Sequence, residues 1–203
     1  MPESVKSVRF NVSKLVFAVV VEDTVTSFKH KAVKKLGEPM QVQLTYTLAT
    51  GTVFGGGVKQ FNPTKLTGAT LQLDINKIPI ETRAEIYGNT YENGILSVGK
   101  NDKASKIAIG YELEAESDTG IKKEMEWIFK GDPQPFGKTT QQTTDNINFS
   151  TDTMTINFVP RELDGLIKKE ADTANSAFTT EAAETFLATV PGGTVVTETG
   201  GGN

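Results

Sequence analysis

At 203 residues the chain suits one domain with arms, or one domain and a small appendage, and the absence of cysteine removes disulfide frameworks, thiolate metal sites and thiol nucleophiles. A formal net charge of -4 argues against a dedicated nucleic-acid binder, because neutralising phosphates takes a cationic surface. Apolar residues make up 37% of the chain, below a typical globular content, so long polar loops and solvated strand faces are expected.

The mixed polar residues 1–9 form an N-terminal arm. From Phe10 to Asp23 the pattern passes from alternating to continuously apolar, which predicts a long strand that is half buried and then fully buried. Its apolar run, Leu15 to Val21, is too short to span a membrane and meets Glu22 and Asp23 rather than a small-residue cleavage site. The basic stretch from Lys29 to Lys35 predicts a second strand ending at Gly37, with His30 at a solvated position and the lysines discouraging stray edge pairing.

Gln41 to Leu48 alternates strictly, with Val42, Leu44, Tyr46 and Leu48 on one face and Gln41, Gln43, Thr45 and Thr47 on the other. Leu71, Leu73 and Ile75 against Gln72 and Asp74 repeat the arrangement, so the two strands form a hairpin with a long glycine-rich connection, Thr50 to about Lys65. That connection is longer than a structureless loop inside a compact domain usually is. Its Phe54, Val58 and Phe61 lack an evident place to pack, and Gly55, Gly56 and Gly57 loosen the free chain. Two readings stay open: a plain flexible loop, or a segment ordered only when a partner covers it.

A short helix follows from Pro79 to Tyr87, with Ile80, Ala84 and Tyr87 on one face and Gly88 past its end. Next come a short strand around Ile95 to Val98 and a long one with Ile107, Ile109, Tyr111 and Leu113 on one face and Glu112, Glu114 and Glu116 on the other. A turn at Ser117 to Gly120 joins it to a strand alternating Lys123, Met125, Trp127 and Phe129 with Lys122, Glu124, Glu126 and Ile128, a hairpin whose polar face is acidic. Ile147 and Phe149 differ in parity from Met154, Ile156 and Phe158, implying a bulge near Ser150 to Thr153. Beyond Pro160 the chain loosens, a Thr-capped helix runs from Thr180 to about Val190, and residues 191–203 form a flexible tail.

No catalytic or metal-binding constellation stands out. Gly131 to Thr139 approaches a phosphate-binding loop, but five residues separate its glycines and Pro133 and Pro135 lack the N–H groups a cradle needs, so it reads as a strand connection. His30 has no nucleophile pattern beside it. The pairs Glu112/Glu114 and Glu124/Glu126 fit a wet strand surface better than an acid/base pair, and no loop has calcium-binding spacing. No cofactor is expected.

In its order of elements the chain resembles the tail tube (major tail) proteins of long-tailed, non-contractile bacteriophages of Gram-positive hosts. The likeness spans roughly residues 8–190 and is carried by Ile86-Tyr87-Gly88, the strand end from Met154 to Arg161, Leu163-Asp164-Gly165 and the closing helix with Phe186. It implies a mainly β fold, an antiparallel β-sandwich or partial barrel with a short α-helix over residues 10–160, then a C-terminal arm with a short helix over 161–190. The hairpins of six subunits would close into one β-barrel. It further implies a structural virion protein without enzymatic activity, made in the host cytoplasm and self-assembling into stacked hexameric rings. DNA would pass along the lumen without specific binding or any membrane contact, and tape-measure, tail-terminator and tail-tip proteins would be its other partners.

By position, Gln41, Gln43, Thr45, Gln72, Asp74, Glu112, Glu114, Glu124 and Glu126 would face the lumen, and Phe54, Gly55, Gly56, Gly57, Val58 and Phe61 would bridge to the adjacent ring. An acidic or neutral wall repels phosphates and lets the duplex slide. The alternatives are a monomeric carbohydrate-binding β-sandwich, which would need exposed aromatics such as Trp127 or Tyr111, and the tube subunit of a contractile injection system.

Overall fold

A computed structural model describes residues 7–138 and 151–196. In chain order it contains β1 (Ser7–Asp23), β2 (Phe28–His30), β3 (Lys34–Lys35), β4 (Pro39–Thr50), β5 (Val53–Gly55), β6 (Val58–Phe61), β7 (Thr64–Ile75), α1 (Ile80–Tyr87), β8 (Thr90–Glu92) and β9 (Ile95–Ser97). There follow β10 (Ile107–Ser117), β11 (Gly120–Pro133), β12 (Gly137–Lys138), β13 (Asp152–Val159), β14 (Lys168–Asp172), α2 (Thr180–Phe186) and β15 (Thr194–Val195). The fold is mainly β, as expected.

One sheet of 11 strands runs in the order β15-β2-β1-β10-β11-β13-β7-β4, with β3 beside β1, β12 beside β13 and β14 beside β11. Its ladders are antiparallel except for the parallel contact of β15 with β2. The sheet does not close into a barrel. It folds over itself so that Leu15, Phe17, Ile107, Ile109, Tyr111 and Ile128 pack against Leu71, Leu73, Ile75, Met154, Ile156 and Phe158, as in a sandwich.

A second core lies on the opposite face of β1, β10 and β11. Ala18, Phe28, Ala108, Met125, Trp127 and Phe129 are covered there by Leu187, Val190 and the partly buried Phe178 and Phe186. This explains the continuous apolar run Leu15 to Val21: odd positions through Val19 enter the first core, while Val16, Ala18 and Val20 enter the second. The indole Nε1 of Trp127 donates to the Phe186 carbonyl at 2.8 Å, so its single polar atom is satisfied inside the core.

Several expectations change. The strand foreseen from Lys29 to Lys35 is two short pieces, β2 and β3, and His30 is fully buried rather than solvated, because β15 pairs alongside it and Gly193 lies against its ring. The helix buries Ala84 and Ile86 while Ile80 stays 37% exposed, although Gly88 does end it in the left-handed conformation.

Nor does the chain loosen after Pro160. Arg161 is buried with its guanidinium 3.8 Å from the Phe129 ring centroid, donates to Asp164 Oδ1 at 2.7 Å and reaches the Pro191 carbonyl at 2.7 Å. A cation so desolvated must be paired and stacked, and these contacts tie the C-terminal segment to the sheet. β15 then holds residues that had been assigned to the flexible tail. Ile147 and Phe149 fall in 139–150, outside the described residues; of the break foreseen near Ser150 to Thr153, the described Asp152 and Thr153 pair with Ile75 and Asp74 in unbroken register.

Candidate functional site

The connection between Thr50 and Lys65 is a built arm. The β4–β7 ladder continues to Thr50 opposite Thr64, and β5 and β6 carry the ribbon onward with Val53 opposite Phe61 and Phe54 opposite Lys59. Gly56 and Gly57 take φ of 60° and 77°, the left-handed pair that a tight two-residue hairpin turn requires. A loop left structureless until a partner arrives is therefore replaced by an ordered hairpin, since Val, Phe and Gln on either side of the glycines suit extended backbone.

The apolar side chains of the arm are nonetheless without cover. Phe54, Val58 and Phe61 are 68%, 66% and 65% exposed, and Leu48 and Leu66, opposite one another lower on the ribbon, are exposed as well. Each such side chain, if covered, contributes roughly 2 kcal/mol, so a partner taking several of them gains a substantial driving force. Exposed apolar side chains grouped on a ribbon are a kind of surface that partners cover in other proteins.

The polar face of the same ribbon is as foreseen and wider. Gln41 lies opposite Asp74, Gln43 opposite Gln72 and Thr45 opposite Thr70, and β13 extends these rows with Thr153, Thr155 and Asn157. Thr153 Oγ1 donates to Asp74 Oδ1 at 2.8 Å and Thr70 Oγ1 to Asn157 Oδ1 at 3.0 Å. These three rows contain no lysine or arginine. The contribution of β13 was missed in sequence, yet the buried Met154, Ile156 and Phe158 leave Thr153, Thr155 and Asn157 on the opposite parity.

The second hairpin departs from the single acidic face foreseen for it. Glu112 pairs with Met125 and Glu114 with Lys123, whereas Glu124 pairs with Leu113 and Glu126 with Tyr111, so the four glutamates divide between the two faces. The reason is the turn: Ser117 pairs with Gly120 across two residues, which sets even-numbered residues of β10 opposite odd-numbered ones of β11. Lys122, opposite Ala115, joins the face of Glu124.

Two of these carboxylates are withdrawn from solvent. Glu112, 2% exposed, accepts from Ser13 at 2.9 Å and pairs with Lys14 at 3.1 Å and Lys123 at 3.0 Å. Burial opposes its charge, but hydrogen bonds from Lys123, Ser13 and Lys14 outweigh burial and hold the carboxyl below its ordinary value. Glu126, 5% exposed, accepts from the Tyr111 hydroxyl at 2.8 Å and from Lys168 at 3.2 Å. There burial wins and pushes the carboxyl up, with the charge of Glu170 acting in the same direction. Glu124 is bound by Arg9 at 2.6 Å and Glu114 by Asn11 at 2.9 Å.

A cleft of about 330 Å³ lies among Arg83, Tyr87, Asn89, Asp102, Pro135 and Phe136. Burial pushes the Tyr87 hydroxyl up to about 12, and the Arg83 guanidinium stacks 4.9 Å from the Phe136 centroid, an arrangement that packs α1 onto the chain after β11. Among the described residues no three histidine, cysteine, aspartate or glutamate side chains gather as a metal-binding group. Gly131, first glycine of the phosphate-loop near-match, sits inside β11 where a Cβ would come within 2.5 Å of Ile156 Cγ2, so its smallness serves sheet packing. Among the described residues no helix is long and apolar enough to cross a membrane.

Comparison of the chain with protein-family models and with curated protein sequences finds no match.

Proposed function

We propose that this chain is a structural subunit that assembles with copies of itself, and that the assembly is a phage tail tube built of stacked hexameric rings. The observation that carries the reading is the ordered β5–β6 arm, whose Phe54, Val58 and Phe61 stand uncovered in the isolated chain. An open sheet edge at β4 adds a second reason, since such an edge is a liability in a monomer and a seam in a closed ring.

In this reading the rows Gln41–Asp74–Thr153, Gln43–Gln72–Thr155 and Thr45–Thr70–Asn157 line the channel. Their lack of cations suits a duplex that must pass without being held. Glu112 and Glu126 do not share that role: their charges are spent on internal ion pairs. Tape-measure, terminator and tip proteins would meet the ends of the tube, and the virion is where the protein would reside. No enzymatic role is assigned. A glycan-binding module finds no support in the two candidate aromatics, because Trp127 and Tyr111 are both buried.

The test is direct. Full-length protein, concentrated and viewed by negative-stain microscopy alongside sedimentation velocity, is expected to form rings or tubes. Monodisperse monomers at every salt and protein concentration would overturn the proposal.

A further inference from the structure

The arm must have an acceptor, and the far end of the β1–β10–β11 ribbon has the matching chemistry. There Val8, Glu116 and Ile121 lie directly opposite one another across three strands and so share a face. Val8 is 68% and Ile121 63% exposed, and Phe10 beside them, in a bulge of β1, is 55% exposed. A carboxylate is thus flanked by two bare aliphatic side chains, with Asp118 in the adjoining turn adding a second negative charge. Neither Glu116 nor Asp118 has an ion partner among the described residues.

The arm is the converse. Phe54 lies opposite Lys59 on its face, Val53 opposite Phe61, and residues 50–66 contain Lys59 and Lys65 with no aspartate or glutamate. Cation beside phenylalanine on one surface answers carboxylate between valine and isoleucine on the other. Of the other bare apolar side chains, Val21 and Val25 stand beside Glu22 and Asp23, whose charges are already paired with Lys29 and Lys130, and Ile95 and Val98 are bordered by Glu92, Lys100 and Lys103, which carry both signs and discriminate less well.

We infer that the β5–β6 arm of one copy docks on the Val8–Glu116–Ile121 end of a second copy, with Lys59 set against Glu116 and Asp118. Both surfaces are uncovered in the same chain at once, so the contact is between copies. Because the two surfaces differ, the contact is head to tail, and each copy offers one arm and one acceptor. Such a contact propagates into a ring or a filament rather than stopping at a dimer. The inference rests on the self-assembly proposed above and names the acceptor within it.

Charge reversal tests it in the full-length chain by sedimentation velocity and negative-stain microscopy. Lys59→Glu alone and Glu116→Lys alone should each raise the concentration needed for assembly by about tenfold or more. Mixing the two single variants should restore assembly, because every arm then finds an oppositely charged acceptor on the other variant, and the double variant should assemble by itself. The neutral variants Lys59→Gln and Glu116→Gln should fall between wild type and the reversals. Both positions of change, Lys59 and Glu116, are on the surface, so thermal melts should match wild type. Wild-type assembly that neither reversal weakens, or that neither mixing nor the double variant restores, overturns the arm–acceptor contact while leaving self-assembly standing. A wild-type chain that never assembles overturns both.

Discussion

The β4–β7 ribbon and the β10–β11 hairpin begin from the same pattern, two long strands of alternating polarity joined by a turn, and end in opposite environments. On β4–β7, Leu71, Leu73 and Ile75 enter the core while Gln43 and Gln72 meet solvent, and the far half of the ribbon projects past the core with Leu48, Phe54 and Phe61 bare. On β10–β11 both faces are covered up to the bare end at Glu116 and Ile121, the first by the sheet folding back and the second by α2 and the segment after Arg161. Alternation says that a strand has two unlike faces. It does not say which of them another segment will cover.

The largest expected effect tests the covered hairpin. Trp127→Ala removes a buried ring and the hydrogen bond that fastens Phe186, and should cost about 3–5 kcal/mol in chemical denaturation. A loss near 1 kcal/mol would mean that α2 and its neighbours cover the second face only loosely.

Acid titration sharpens the comparison between the two faces of that hairpin. Glu112 is held below its ordinary value of 4.5, so its stabilisation is complete above that value and is lost as pH falls through the lower folded value. Glu126 is pushed above 4.5, so the folded state binds its proton more tightly than the unfolded chain does, and its contribution declines as pH rises through the folded value. Glu112→Gln should therefore flatten the acid limb of the stability profile, and Glu126→Gln should steepen it, each measured by urea unfolding between about pH 3 and 7. Equal slopes for the two variants would show that the division of glutamates between the faces has no energetic consequence.

The smallest effect on stability belongs to the arm. Phe54→Ser with Phe61→Ser changes two uncovered side chains and should leave unfolding within about 0.5 kcal/mol of wild type while abolishing assembly. A marked loss of stability would place the arm against its own chain, and normal assembly would remove it from the interface.

Much of this organisation was legible in advance. Period-two patterning located β1, β4, β7, β10, β11 and β13; Pro79 and Gly88 bracketed α1; and Thr179 caps α2 by accepting from the Ala182 N–H. The two-residue turn at Asp118 and Thr119 even contained the parity rule that separates Glu112 from Glu126, although reading the strands one at a time concealed it.

What local pattern determined, then, was where the chain is extended and which side chains alternate, because backbone sterics and side-chain period act over a few residues. Tertiary structure alone decided that His30, Glu112 and Arg161 would be buried, that the residues after Pro160 would form a wall of the second core, and that no other described segment would cover Phe54, Val58 and Phe61 of the glycine-rich ribbon. Each of these depends on which distant segment lies across the sheet, through pairings as remote as Arg9 with Glu124 and Thr194 with Lys29, and no window along the chain contains both members of such a pair.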